Sequence, residues 1–372
     1  MPAESSQYHA GELQNPTTKQ PKKKMKMNSL KTAAAIGLTA LAISSAAAQT
    51  ASKPVGYETL NYGAGFTPLG LRLHAAPVTS GEIASVQADS ITVTGADFGT
   101  LLTAGADYVL EIENGSGIIQ VVNTWAGENI TTPSDLSADV AAGATFTVRP
   151  VATLDSVFGS AVAAGGGVTA GNGGVGSSDQ VWVPDGSGGY NKYYFDNFAP
   201  PNYDAASWVQ LELGDGVDPK VDGAATNLIY ADGIVMVAQN ASSFVLTGSV
   251  KLTETELTIL PGFTFVSSVA PAGATLDTAF GNPPSGLVVG NGGVGSADQI
   301  WIQGAGGDYN KYYFDNFAPL DFTGASWVQL ELGDGVDPKV DGSTIDMPSG
   351  FVVVSQAGGN VTQGVPSFYA TL

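Results

Sequence analysis

The sequence contains no cysteine and only two histidines, His9 and His74. Without cysteine there is no disulfide framework, no zinc–thiolate site and no iron–sulfur cluster. Basic residues are also scarce, 14 Lys and Arg against 34 Asp and Glu, for a net charge of −20. A surface of that sign repels nucleic acid and anionic lipid, so a nucleic-acid partner is excluded. The 49 glycines follow no G-x-y period, which excludes collagen and leaves them as turn residues. The apolar stretch Ala33–Ile43 is too short to span a bilayer as a stable helix.

The first 48 residues read as leader rather than fold. Residues 1–24 look like an over-extended start, with Met25 and Met27 as alternative initiators. Residues 25–48 fit a secretory signal peptide: lysines, the apolar stretch, then Ala46-Ala47-Ala48 before Gln49. Six of the basic and two of the acidic residues lie in this leader. The exported chain then carries 8 basic against 32 acidic side chains, a net −24, and His74 alone among histidines. An extracellular or outer-surface location is expected, with the periplasm as the alternative and no membrane span after leader removal.

The body carries a tandem internal repeat. Residues 171–223 and 290–342 align without gaps and are identical at 40 of 53 positions. NKYYFDNFAP (191–200) returns at 310–319, and SWVQLELGDGVDPKVDG (207–223) at 326–342. Upstream, Gly143-Ala-Thr-Phe146 matches Gly262-Phe-Thr-Phe265, and ATLDSVFG (152–159) matches ATLDTAFG (274–281). Downstream, SFVLTG (243–248) matches SFYATL (367–372). These matches draw copy 1 as 143–247 and copy 2 as 262–372, joined by a connecting strand or linker at 248–261. A separate N-terminal β-domain occupies 49–142.

Each copy alternates short runs of strand formers with Gly-rich or Asp-Gly punctuation, such as Gln180–Val183, Lys192–Phe195, Ser207–Leu213 and Ile234–Ala238. One helical turn is expected at TLDSVFG, closed by Gly159. The expected fold is therefore all-β, an N-terminal β-domain followed by two homologous β-sandwich or small-barrel domains.

An early PVGY (54–57), the G-x-x-F-x-V-R-P strand at 143–150 and the following ATLDSVFG begin a recognisable series of motifs. S-x-D-Q-V-W-V, Y-x-K-Y-Y-F-D and DGIVMVAQ continue it. Together they resemble an uncharacterised family of secreted proteins of the Verrucomicrobia. The resemblance covers most of the exported chain. It implies export and a β-rich body, and it carries no activity and no functional residues.

Three groups of residues could carry chemistry. The acidic loops place Asp215, Asp218 and Asp222 in one copy, and Asp334, Asp337 and Asp341 in the other. Closely spaced Asp among Gly can supply the oxygens calcium takes, although the spacing matches neither an EF-hand nor a G-G-x-G-x-D repeat; a solvated turn is the plainer account. The aromatic strands offer Tyr190 and Tyr194, with Tyr309 and Tyr313, as a ligand surface on which sugar rings could stack, though some of these rings must be core. His74, flanked by Leu71, Leu73 and Ala75, lacks a nucleophile-elbow motif and reads as structural. No cofactor other than calcium is suggested.

These observations point to a secreted or cell-surface structural or adhesive β-repeat protein without evident catalysis, its partner being itself or a surface polysaccharide. A carbohydrate-binding module using the aromatic strands is the alternative. A carboxylate-dependent glycosidase is a distant one.

Overall fold

The structure is a computed structural model and describes residues 55–113, 115–160, 167–211, 218–319, 324–330 and 337–372. The leader expected at 1–48, and Asp215 and Asp334, lie outside these residues. The fold is all-β, built from several antiparallel sheets. Among the described residues no helix is long and apolar enough to cross a membrane.

Three strands open the described chain: β1 (Val55–Tyr62), β2 (Gly65–Leu69) and β3 (Leu73–His74). The next five are β4 (Thr79–Glu82), β5 (Ser85–Gln87), β6 (Ser90–Thr92), β7 (Tyr108–Ile112) and β8 (Ile119–Val121), with a one-turn helix α1 (Phe98–Leu101) among them. Then come β9 (Thr124–Ala126), β10 (Asn129–Thr131), β11 (Thr145–Pro150) and β12 (Ala152–Thr153), leading into α2 (Leu154–Phe158). The series β13 (Gln180–Pro184), β14 (Tyr190–Asp196), β15 (Ser207–Gln210) and β16 (Lys220–Val221) follows. After it stand β17 (Asn227–Leu228), β18 (Ile234–Ala238) and β19 (Ser242–Val250). The remainder is β20 (Thr255–Ile259), β21 (Gly262–Ser267), α3 (Leu276–Phe280), β22 (Gln299–Gln303) and β23 (Tyr309–Asp315). It closes with β24 (Ser326–Gln329), β25 (Lys339–Val340), β26 (Gly350–Ser355) and β27 (Gly359–Gln363).

Two six-stranded sheets have the same order. One runs β16-β15-β14-β13-β18-β2, the other β25-β24-β23-β22-β26-β21. Each is accompanied by a matching antiparallel pair, β1 with β19 and β20 with β27. Short helices α2 and α3 match as well: Thr153 and Thr275 cap them through reciprocal bonds with Ser156 and Thr278, and Gly159 and Gly281 end them at positive φ. The helical turn read from TLDSVFG is thus present.

The pairing divides the chain differently from the sequence matches. The last strand of the first sheet is β2, with Phe66 opposite Val237, as Phe263 stands opposite Val354 in the second. Gly65-Phe66-Thr67, not Gly143–Phe146, is therefore the structural counterpart of Gly262-Phe263-Thr264. Residues Thr145–Pro150 instead pair with β4 and β7, beside a second four-stranded sheet β5-β6-β10-β9. These strands enclose their own core of Ile83, Ile91, Phe98, Leu110, Ile112, Ile130, Phe146 and Val148. The separate β-domain is an insertion within copy 1, between β3 and β12, rather than a domain preceding it. SFYATL also departs from its expected match, because Ser367–Thr371 is a 3-10 turn and the counterpart of Phe244 is Val361. Of the connecting strand or linker expected at 248–261, strand is present: the segment completes β19 and supplies β20.

Both copies share one core. Leu154, Trp208, Ile234 and Met236 belong to the same buried cluster as Leu276, Trp327, Phe351 and Val353. Each buried indole removes a large apolar area from water, a leading stabilising contribution in such a fold. The seam between copies is backbone-tight: the Gly233 amide donates to the Phe265 carbonyl and the Ser267 amide to the Ala231 carbonyl, both at 3.1 Å.

Candidate functional site

Strand alternation sends Val181 and Val183 into the core and leaves Trp182 outward; Ile300, Ile302 and Trp301 repeat the arrangement. In each copy the outward indole meets a phenylalanine from the outer strand edge-on. The Phe66–Trp182 and Phe263–Trp301 centroids are both 5.2 Å apart. Tyr190 follows Trp182 at 6.5 Å and Tyr309 follows Trp301 at 6.0 Å. Tyr190 also meets Phe265 of the other copy at 5.6 Å, and Phe263 lies two residues from Phe265 on the same face of β21. Seven rings thus form one strip across both copies, with Phe66 53% and Phe263 57% exposed at its surface.

Polar contacts fix the indoles. Trp182 Nε1 donates to Gln180 Oε1 and Trp301 Nε1 to Gln299 Oε1, both at 2.9 Å. Lys192 and Lys311 place their ammonium groups 4.0 and 3.9 Å from the Trp182 and Trp301 ring centroids. The cross-strand pairs Trp182–Lys192 and Trp301–Lys311 produce these cation–π contacts directly.

Each copy's glycine-rich hairpin reaches toward the outer strand of the other. Copy 2's hairpin (304–307) and Gln303 form an open groove of about 330 Å³ with Gly63, Phe66 and Thr67, bridged by Gln303 Nε2 donating to the Phe66 carbonyl at 2.8 Å. Copy 1's hairpin and Tyr190 form a cleft of about 120 Å³ with Leu260, Phe263 and Phe265, and this one contains a carboxylate, Asp232. Asp232 reaches solvent on one side and is crowded by protein on the other. That crowding, with no compensating charge, pushes its carboxyl up to about 6. The equivalent position in copy 2 is Ser349, immediately before Gly350 as Asp232 precedes Gly233.

The residues expected from sequence separate into two sets. Tyr190 and Tyr309 are half-buried members of the strip. Tyr194 and Tyr313 are fully buried and offer no ligand surface. Their end of the sheet face is covered: Tyr194 and Val209 pack with Ala199, Val175 and Leu211, and Tyr313 and Val328 pack with Ala318, Val294 and Leu330. Burial, followed by hydrogen bonds to Asp218 and Asp337 (2.9 Å each), pushes both phenols well above their ordinary range. Phe66 and Phe263 are exposed on the strip instead, and Trp182, Lys192, Trp301 and Lys311 are half-buried there. Phe66 could be found from sequence only by matching GFT at 65–67 with GFT at 262–264.

The described aspartates of the acidic loops all have hydrogen-bond partners. Asp218 and Asp337 each accept a tyrosine hydroxyl, Asp222 accepts the Ala224 amide (2.9 Å), and Asp341 accepts the Ser343 amide (3.0 Å) and hydroxyl (2.6 Å). Among the described residues there is no group of three or more His, Asp or Glu that could hold a metal. A different pair of aspartates organises the glycine-rich loops. Buried Asp196 accepts the Gly173 (2.8 Å), Gly174 (2.6 Å) and Phe198 (2.7 Å) amides, and Asp315 does the same for Gly292, Gly293 and Phe317.

His74 lies in a buried charged cluster where the insertion meets the body. Arg149 Nε donates to Glu111 Oε1 at 2.8 Å, the Tyr230 hydroxyl donates to the same oxygen at 2.7 Å, and Lys251 is buried nearby. His74 stacks on Tyr230 with centroids 3.9 Å apart, and neither ring nitrogen makes a hydrogen bond of ordinary geometry. Burial lowers its pKa to about 3, outweighing the Glu111 charge, so the ring is neutral. The adjoining cavity of about 20 Å³ has room for one water. This arrangement suits a structural tie between insertion and body.

In comparisons with known proteins the chain matches no family model, and no curated protein or solved structure is significantly similar to it.

Proposed function

We propose that this chain is an exported, non-catalytic adhesive β-repeat protein that engages polysaccharide through the strip shared by its two copies. The observation that carries the reading is the seven-ring strip, with Phe66 and Phe263 exposed and its indoles fixed. Ring faces suit the C–H faces of pyranoses, and fixed rings lose little freedom on binding. Two equivalent patches on one chain multiply weak contacts along a polymer that presents repeated units.

The experiment is retention of the exported chain on beads carrying insoluble polysaccharides, with Trp182→Ala/Trp301→Ala as comparison. Retention of the wild type and its loss in the double variant support the reading. Equal retention of both, or of neither, removes it. Concentration-dependent association on size exclusion that the double variant abolishes, without polysaccharide retention, would make a second copy of the chain the partner. Release of reducing sugar would contradict the non-catalytic assignment.

A further inference from the structure

The two clefts at the copy–copy seam occupy equivalent places and differ in chemistry. The groove at Phe66 is lined by Gln303, small residues and threonine, whereas the cleft at Phe265 contains Asp232. Among the described residues, no side-chain hydrogen bond or ion pair engages the Asp232 carboxylate, although its backbone bridges to Val266. The same cleft presents Tyr190 with Phe263 and Phe265, and its hairpin wall is lined mainly by Gly186, Gly188 and Gly189 with Pro184.

We propose that this cleft binds an amino-sugar unit of the polysaccharide, its ammonium group against Asp232 and its ring face against Tyr190 and Phe265. The assignment rests on the polysaccharide reading above and adds the identity of one sugar. The Asp232 carboxylate is solvent-accessible and faces no neighbouring cation among the described residues, so a cationic ligand group can reach it, and adjacent aromatic faces favour the same charge. The chain already uses this chemistry on the strip, where Lys192 and Lys311 lie over Trp182 and Trp301. Its net charge of −20 also attracts a cationic polymer. Ser349 in the equivalent position of copy 2 makes the acidic subsite a property of one cleft only.

The test is calorimetric titration of the exported chain with a glucosamine hexamer, an N-acetylglucosamine hexamer and hexalysine. Wild type, Asp232→Ser and Asp232→Asn are compared. Serine already occupies the equivalent position of copy 2, so the first variant keeps a residue the fold accepts there. The expected result is that the glucosamine hexamer binds wild type about tenfold more tightly than either variant, as for loss of one charge contact. The acetylated hexamer should bind all three proteins alike. Equal affinity of wild type for both sugar hexamers, or no change on Asp232→Ser, would overturn the proposal. Hexalysine binding as tightly as the glucosamine hexamer would overturn the sugar assignment. If Trp182→Ala/Trp301→Ala abolishes bead retention while Asp232→Ser changes nothing, the subsite fails and the strip reading stands. If no polysaccharide or hexamer binds at all, both fail.

Discussion

The Tyr230 hydroxyl donates to Glu111 Oε1 at 2.7 Å across the seam between body and insertion. Glu111 also pairs with Arg149, and both members of that ion pair are buried. Buried charges of this kind become costly when one partner is lost. Tyr230→Phe removes one donor and should lower unfolding free energy by about 1–3 kcal/mol. Arg149→Met leaves the carboxylate with less compensation and should cost about 3–5 kcal/mol. Urea denaturation measures both.

The same cluster sets an acid limit. His74 has a pKa near 3 in the folded chain against 6.5 unfolded, so between these values the unfolded state binds more protons. Its contribution to stability is therefore full above pH 6.5 and is lost as pH falls toward 3. Glu111, lowered by Lys251 and Arg149 against the opposing effect of burial, acts in the same direction below the ordinary carboxylate range. Asp232, raised to about 6, works oppositely between pH 6 and 3.8. Because Asp232 is present in both proteins, comparing wild type with His74→Phe isolates the histidine. The melting temperature of the variant should fall less steeply between pH 6.5 and 4.

Asp196 predicts a local effect. Its carboxylate accepts three backbone amides, and an amide side chain would turn one acceptor into a donor facing an N–H. Asp196→Asn should cost about 2 kcal/mol or more. Hydrogen exchange should quicken at Gly173 and Gly174 well before the core opens. Asp315→Asn should do the same at Gly292 and Gly293.

The seam between copies makes a paired prediction. A Cβ at Gly233 would come within 2.5 Å of the Val266 nitrogen, and one at Gly350 within 2.4 Å of the Leu69 nitrogen. Both obstacles are backbone, so the sheets must separate to admit a methyl group. Gly233→Ala and Gly350→Ala should each destabilise by about 2–3 kcal/mol. Both should also broaden strip resonances contributed by the opposite copy.

These relationships differ in how far the sequence reveals them. The β-class, the duplication and the capped turn at Thr153–Gly159 follow from local patterns, and local patterns are what the structure contains at those places. Strand periodicity marks Gly65–Leu69 as extended but says nothing of its partner, which lies some 170 residues later at Ile234–Ala238. The insertion was hidden for that reason, and a four-residue match at 143–146 drew the boundary elsewhere. Alternation predicts opposite faces for Tyr193 and Tyr194 but cannot tell which face other segments cover. Tyr194 is lost to the interior because Ala199, Val175 and Leu211 close over it. Asp232 opens the DGIVMVAQ motif, but nothing in that motif marks a cleft, because the cleft depends on a strand contributed by the second copy.

Fluorine NMR of the chain labelled with 5-fluorotryptophan tests the strip most directly. The five indoles divide between the strip (Trp182, Trp301), the buried core (Trp208, Trp327) and the insertion (Trp125). On adding a soluble polysaccharide that the beads retain, the Trp182 and Trp301 resonances should shift together while the other three hold still. A shift at Trp125 alone, or no shift at Trp182 and Trp301 under saturating ligand, would contradict the account.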